Sequence, residues 1–174
     1  MIAAVVLAAG AATRFGAAKQ QLLLPYVLRR VNEAGIETTV VVLGAYKFPV
    51  DGAVAVTATD WDDGPGASLR AGLGALPAEA GAAVVCLADG PLISPEAIKR
   101  MVAAWESGTA EVVAASYGGV RGHPVCIGRA AWSDIPSTGG RELEAVLVPC
   151  DDLGEPADVD TPEDLRRIES LLAE

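Results

Sequence analysis

Six short apolar runs, most of them rich in valine, recur along the chain at residues 2–7, 38–43, 53–58, 82–87, 112–115 (continuing toward Tyr117) and 145–148. Runs of this length with little polar alternation read as strands buried on both faces, the pattern of a parallel sheet. The stretches between them carry helix punctuation. Residues 25–34 end at Gly35, and residues 68–76 open on a serine suited to an N-cap. Residues 94–105 open S-P-E-A and residues 161–172 open T-P-E-D, each with proline at the first helical position and acid in the first turn. Strands and helices in this alternation predict an α/β fold: a three-layer α/β/α, Rossmann-like arrangement with a mostly parallel, doubly wound sheet. With 174 residues, the expectation is one domain over 1–174.

In such sheets ligands bind beyond the carboxyl ends of the strands. That rule selects residues 8–19 after the first strand, residues 88–91 after the fourth, and the chain approaching Asp160. The first of these, within "VVLAAGAATRFGAAKQQLLLP", sets Gly10, Arg14, Gly16 and Lys19 among alanines. The spacing fits neither G-x4-G-K-[ST] nor G-x-G-x-x-G. Its composition nevertheless suits phosphate: small residues let backbone N–H groups approach an anion, Arg14 offers a fork and Lys19 a point charge. A solvated surface loop accounts for this segment equally well on its own.

Asp89, in "VVCLADGPLISPE", stands at the end of an apolar strand before a tight turn. Ser94 already supplies the cap of the next helix, so Asp89 is left to face the ligand crevice, where a carboxylate suits Mg²⁺. In "PADVDTPEDL" either Thr161 or Asp160 can cap the last helix. Asp160 therefore enters a site only if the fold brings it beside Asp89.

The formal charge of −10 argues against nucleic acid or an anionic membrane surface as partner. The apolar N-terminus has no basic flank and is too short to span a bilayer. Cys86, Cys126 and Cys150 lie far apart in apolar runs, which predicts reduced structural thiols and a cytoplasmic protein. His123 is the only histidine, so no Ser-His-Asp set is to be sought elsewhere. Trp61, Trp105 and Trp132 read as packing residues; Trp61 alone precedes glycines on the ligand side.

Taken together and in order, five segments resemble one family. "LAAGAATRFGAAK" is similar to the L-A-[AG]-G-x-x-x-R-[FM]-G-x-x-K signature of MobA-like NTP transferases, and "LADGPLIS" to that family's L-x-D-[QM]-P-[LF]-[IV]. "GPGASLRAGL", "RGHPVCIGRAAW" and "DVDTPEDL" resemble segments of its molybdenum cofactor cytidylyltransferase branch. The resemblance implies a nucleotide-diphospho-sugar transferase type of fold and a reaction in which a phosphorylated acceptor attacks the α-phosphorus of an NTP. It implies that Leu7, Ala8, Ala9 and Gly10 line the base and ribose pocket. Arg14, Gly16 and Lys19 would hold the triphosphate, with Ser68 near the nucleotide. Asp89, with Asp160, would bind Mg²⁺, and Gly122, His123 and Pro124 would lie on the acceptor side. Arg14, Lys19 and Asp89 are then the catalytic set. CTP as donor, molybdopterin as acceptor and a molybdoenzyme or its chaperone as protein partner follow from the same resemblance.

The chain departs from that pattern at two kinds of place. Gly90 stands where the branch carries glutamine or methionine. The segments around 22–25 and 135–144 are short, without the family's G-x-P-x-L turn and longer helix, which predicts residues missing there. These departures keep open a nucleotide-binding or cofactor-chaperone module without catalysis, and the resemblance itself keeps open two more alternatives, a transferase for a sugar phosphate or phospholactate-like acid and an oxidoreductase acting on an aromatic heterocycle. The last lacks a dinucleotide fingerprint.

Overall fold

The computed structural model describes residues 1–10, 19–154, 156 and 158–172. Seven strands form one sheet in the order β3-β2-β1-β4-β6-β5-β7. They are β1 (Ile2–Ala8), β2 (Thr39–Leu43), β3 (Val54–Thr57), β4 (Ala82–Leu87), β5 (Val112–Tyr117), β6 (Val120–Gly128) and β7 (Val146–Pro149). All neighbours pair in parallel except β6, which runs antiparallel to both β4 and β5. The helices are α1 (Lys19–Glu33), α2 (Pro65–Gly74), α3 (Pro95–Glu106) and α4 (Pro162–Leu172).

The period-two alternation of β1 divides the core into two layers. Ala4, Val6 and Ala8 face α1 and α3, packing with Leu24, Val27, Val31, Ile98 and Met101. Ala3 and Val5 face the opposite side, against Leu69 and Leu73 of α2 and against Ala131 and Ile135 of a 3-10 segment after β6. Small side chains bring the layers close. A Cβ at Gly72 would lie 2.6 Å from Val5 Cγ1 and 2.7 Å from Val42 Cγ2, so only glycine lets α2 lie this flat on β1 and β2. The fourth helix lies outside the first, Ile168 and Leu172 packing with Leu23 and Val159. The architecture is the three-layer, mostly parallel α/β/α sheet that the strand–helix alternation predicts.

Most boundaries lie within one or two residues of those read in the sequence, and three readings differ by more. The first helix begins at Lys19, not at Pro25, and carries Pro25 inside it. The missing Pro25 N–H is offset by an apolar face formed by Leu23, Leu24, Val27 and Val31, which are all buried. This helix runs without interruption through 22–25, where the family's turn is absent, and 135–144 is likewise continuous, closed by the bonds Gly139 N–H to Pro136 O (3.1 Å) and Leu143 N–H to Gly140 O (3.1 Å). The second helix starts at Pro65, with Ser68 inside it rather than capping it, because proline at the first position presets the helical φ. Finally, "VRGHPVCIG" is a seventh, central strand. Its Pro124 lies beyond the last β4 partner, Val85↔Val125, and at the shift in the β5 ladder between Ala114 and Ser116, outside both ladders.

All three cysteines are buried and unpaired by disulfides. Burial pushes the Cys86 and Cys126 thiols up to about 12, which keeps them protonated and inert. Among the described residues no helix is long and apolar enough to cross a membrane.

Candidate functional site

The carboxyl ends of β1 and β4 lie side by side, Leu7 opposite Leu87, and the chain leaves the sheet there in both strands. Asp89 follows β4. Ser94 Oγ accepts from the N–H groups of Glu96 and Ala97 and so caps α3, leaving the Asp89 carboxylate free to turn toward the crevice. The Val159 N–H donates to the Asp89 carbonyl at 2.8 Å, which draws the segment before α4 alongside. At the start of α4, Thr161 Oγ1 accepts from Asp164 N–H, while Asp164 Oδ2 accepts from the N–H groups of Asp160 and Thr161. This reciprocal cap is built from Thr161 and Asp164, so the Asp160 carboxylate is not consumed by it.

One ammonium gathers these groups. Lys19 Nζ, at the first position of α1, lies 3.3 Å from Asp89 Oδ2, 3.3 Å from Asp160 Oδ1 and 2.5 Å from the Val159 carbonyl oxygen. Lys19 is only 5% exposed. A lysine so buried is stable because two carboxylates and a carbonyl replace its water. The structure therefore brings Lys19, Asp89 and Asp160 together. Asp158 stands close by, its carboxyl pushed above the ordinary range by burial first and then by Asp89 and Asp160, with Lys19 and Arg141 opposing. Sequence reading passed over Asp158.

A cavity of about 450 Å³ opens beside this cluster, lined by Leu7, Ala9, Gly10, Trp61, Ser68 and Asp89, among others. Ala8 is buried behind it. Arg14 and Gly16 lie outside the described residues. Gln20 was not singled out in the sequence; it is buried, its Nε2 donates to the Gly10 carbonyl at 3.0 Å, and its Oε1 has no hydrogen-bond partner among the described residues. An orphaned acceptor at the edge of a ligand cavity is a group for a ligand donor to satisfy.

Past Leu7 and Leu87 the crevice continues into a second cavity of about 280 Å³. Its wall includes Gly122 and His123 from β6, whereas Pro124 is buried behind it. Burial, with help from Arg141 and Arg121, lowers the His123 imidazole to about 4, so it is neutral at physiological pH. Gly90 faces Asp158 with room to spare: a Cβ there would lie 3.8 Å from Asp158 Oδ1.

The two cavities meet where α2 crosses residues 136–138. Gly66 N–H donates to the Ser137 carbonyl at 3.0 Å, and a Cβ at Gly66 would collide with the carbonyl oxygen of Pro136. Gly66→Ala is accordingly expected to cost about 1–3 kcal/mol of stability by forcing two backbones apart. The urea midpoint should fall with an unchanged m-value, and an unchanged midpoint would show that the crossing is loose.

Asp89 and Asp160 present hard oxygen ligands that already converge on one positive centre, Lys19 Nζ. Among the described residues no group of three or more Asp, Glu, His or Cys could by itself hold a metal. Two carboxylates without a closed protein cage fit an ion that completes its shell with phosphate oxygens and water, as Mg²⁺ does.

The sequence matches the family described as MobA-like NTP transferase domain over residues 4–151. No curated protein sequence matches it. Rv0371c from Mycobacterium tuberculosis H37Rv is 27% identical and superposes with a TM-score of 0.79 over 100% of this chain and 99% of that one. A complex of Rv0371C with manganese, from the same organism, is 26% identical, with a TM-score of 0.74 over 96% of this chain and 97% of that one. The molybdopterin-guanine dinucleotide biosynthesis protein A from Archaeoglobus fulgidus shares the fold at 18% identity, with a TM-score of 0.69 over 99% of both chains.

Proposed function

The chain belongs to the MobA-like NTP transferase family, and from that premise we propose that it transfers CMP from CTP to the phosphate of molybdopterin, releasing pyrophosphate. The observation that carries this reading is the convergence of Lys19, Asp89 and Asp160 at the mouth of β1 and β4, beside a cavity of nucleotide size.

In the reaction an acceptor phosphate oxygen forms a bond to the α-phosphorus while the bridging α–β P–O bond breaks, and pyrophosphate leaves with that electron pair. Such transfers need positioning and charge neutralisation more than covalent chemistry. Leu7, Ala8, Ala9 and Gly10 form the base and ribose side, with Ser68 near the nucleotide. Gln20 Oε1 awaits a donor such as an exocyclic amine. Lys19, with Arg14 and Gly16 of the neighbouring segment, holds phosphate oxygens. Gly122, His123 and Pro124 form the acceptor side. Asp89 and Asp160 would hold the divalent ion; Mg²⁺ bound there would neutralise charge on the triphosphate and on the leaving pyrophosphate. That the similar protein Rv0371C forms a complex with manganese supports a divalent ion for this chain as well. A single domain over 1–174, a cytoplasmic location and delivery to a molybdoenzyme or its chaperone complete the proposal. The three buried, free thiols support the location.

The test is pyrophosphate release by the purified chain with Mg²⁺, each NTP in turn and molybdopterin. Release with CTP is expected to exceed that with GTP, ATP or UTP. No release from any NTP with any phosphorylated acceptor would remove the enzyme. A binding module without catalysis is favoured by one observation, the lysine that already fills the space between the two carboxylates. It predicts calorimetric binding of Mg-CTP without turnover.

A further inference from the structure

The second cavity joins an apolar floor to an uncompensated positive rim. Leu69, Val85, Val125 and Ile127 line its floor, and Arg121 and Arg141 its edge. Among the described residues no carboxylate lines it, although the chain as a whole carries a charge of −10.

The two arginines differ in what they already hold. Arg121 is half-buried and spends its guanidinium on backbone: Nη1 donates to the Leu143 carbonyl at 2.6 Å and to the Arg141 carbonyl at 3.4 Å, and Nη2 to the Gly140 carbonyl at 3.0 Å. These bonds pin the short 3-10 turn Gly140–Glu142 against β6 and fix where residue 141 leaves the backbone. The Arg141 side chain is exposed and makes no hydrogen bond or ion pair with any described residue. It also lines a third cavity of about 200 Å³, which shares Leu87, Arg121, Gly122 and His123 with the second and reaches Asp158. Arg141 thus lines both the apolar chamber and the cavity that reaches Asp158, where its charge partly opposes the rise of that carboxyl.

We propose that Arg141 is the acceptor-binding arginine: it takes the phosphomonoester of a small acceptor whose flat, apolar body lies on Leu69, Val85, Val125 and Ile127. The proposal rests on the nucleotidyl-transfer reading above and names the substrate class of its second site. A free guanidinium binds a phosphate dianion through two parallel N–H bonds. The apolar floor rewards a planar ring and gives no partner to a highly hydroxylated one. Sugar phosphates are therefore poor acceptors, and aromatic or heteroaromatic phosphomonoesters good ones. The pinned backbone at Gly140–Glu142 holds the arginine where an acceptor oxygen can face the Asp89–Asp160 end of the crevice.

His123, the only histidine, lies on the same wall and supplies a spectroscopic probe. Phenyl phosphate titrated into the full chain should shift the His123 ring resonances saturably, while phenol and glucose 6-phosphate should bind at least about tenfold more weakly. Arg141→Gln should weaken phenyl phosphate by about tenfold or more, and Arg141→Lys by less, since the charge remains but the fork is lost. Calorimetric affinity for Mg-CTP should be the same in Arg141→Gln as in the parent. Equal phenyl phosphate binding by parent and Arg141→Gln, or tighter binding of glucose 6-phosphate, would overturn the assignment. The two levels separate cleanly. Arginine-dependent phenyl phosphate binding without any pyrophosphate release would sink the transfer reaction and leave the anion site. Turnover with an acceptor KM unchanged in Arg141→Gln would sink the anion site and leave the reaction.

Discussion

Asp89→Ala is expected to lower pyrophosphate release by about 10³-fold while the protein stays folded. The size of the effect follows from what the carboxylate touches. It is one of two that converge on the same positive centre, and it follows closely on a strand paired with β1 through Leu87, with its own carbonyl tied to Val159. On the proposed roles, removing it would leave Asp160 alone to hold a divalent ion and would withdraw a charge that positions the triphosphate. The fold tolerates the change. The Asp89 side chain is 28% exposed, and Lys19 keeps Asp160 and the Val159 carbonyl, so no buried charge is orphaned. A loss near 1 kcal/mol is expected on the urea midpoint. Asp89→Asn should be nearly as inactive, since the amide keeps the shape and loses the charge. Parent-like turnover in either variant, measured as pyrophosphate release under saturating Mg²⁺ and CTP, would show that this carboxylate holds no part of the reaction.

The parts of this site that were legible in sequence are those carried by single strand ends. Residues 82–87 match β4 to the residue, and an aspartate just past such a strand points into the crevice on topology alone. Asp160 was ambiguous because a carboxylate before T-P-E-D is equally good as a cap. Only the observed bonds of Thr161 and Asp164 release it. What could not be read were contacts made across the fold. Arg121, Arg141 and Asp158 meet because β6 runs antiparallel between β4 and β5, and β6 carries a proline and polar residues that break the strand pattern. The pair Gly139-Gly140 before Arg141 is the same combination of small residues and a cation that drew attention to Gly10 and Lys19. It offered the one local signal that was available. The start of α1 was misplaced for a related reason: proline at the first helical turn is the commoner case, and the apolar face that holds Pro25 inside α1 is made in large part with α3 and α4, far away in sequence.

Lys19→Met couples stability to the same chemistry and separates a built cation site from an ordinary ion pair. Methionine keeps the buried stem and removes the ammonium. Three acceptors then lose their donor, and Asp89, Asp158 and Asp160 face one another without a counter-charge. Breaking a buried pair can cost 3–5 kcal/mol, but Asp89 and Asp160 are partly exposed and screened, so about 2 kcal/mol is expected at neutral pH. The pH dependence has a definite sign. Asp158 has a raised carboxyl in the folded state, so folding binds protons and stability falls as pH rises through the carboxylate range. Loss of the ammonium, which holds the Asp158 carboxyl down, raises that carboxyl further, steepens the fall, and leaves variant and parent closest in stability in acid. Millimolar Mg²⁺ or Mn²⁺ should then raise the Tm of Lys19→Met by more than it raises that of the parent, because the ion meets two carboxylates no longer held by a lysine. Turnover should fall by about 10²-fold or more even at saturating metal, since the cation that meets the phosphates is gone. A Tm gap independent of both pH and divalent ion would reduce Lys19 to a structural lysine. A gap that closes in acid and with metal, without recovery of activity, assigns the ammonium to the phosphates and the two carboxylates to the ion.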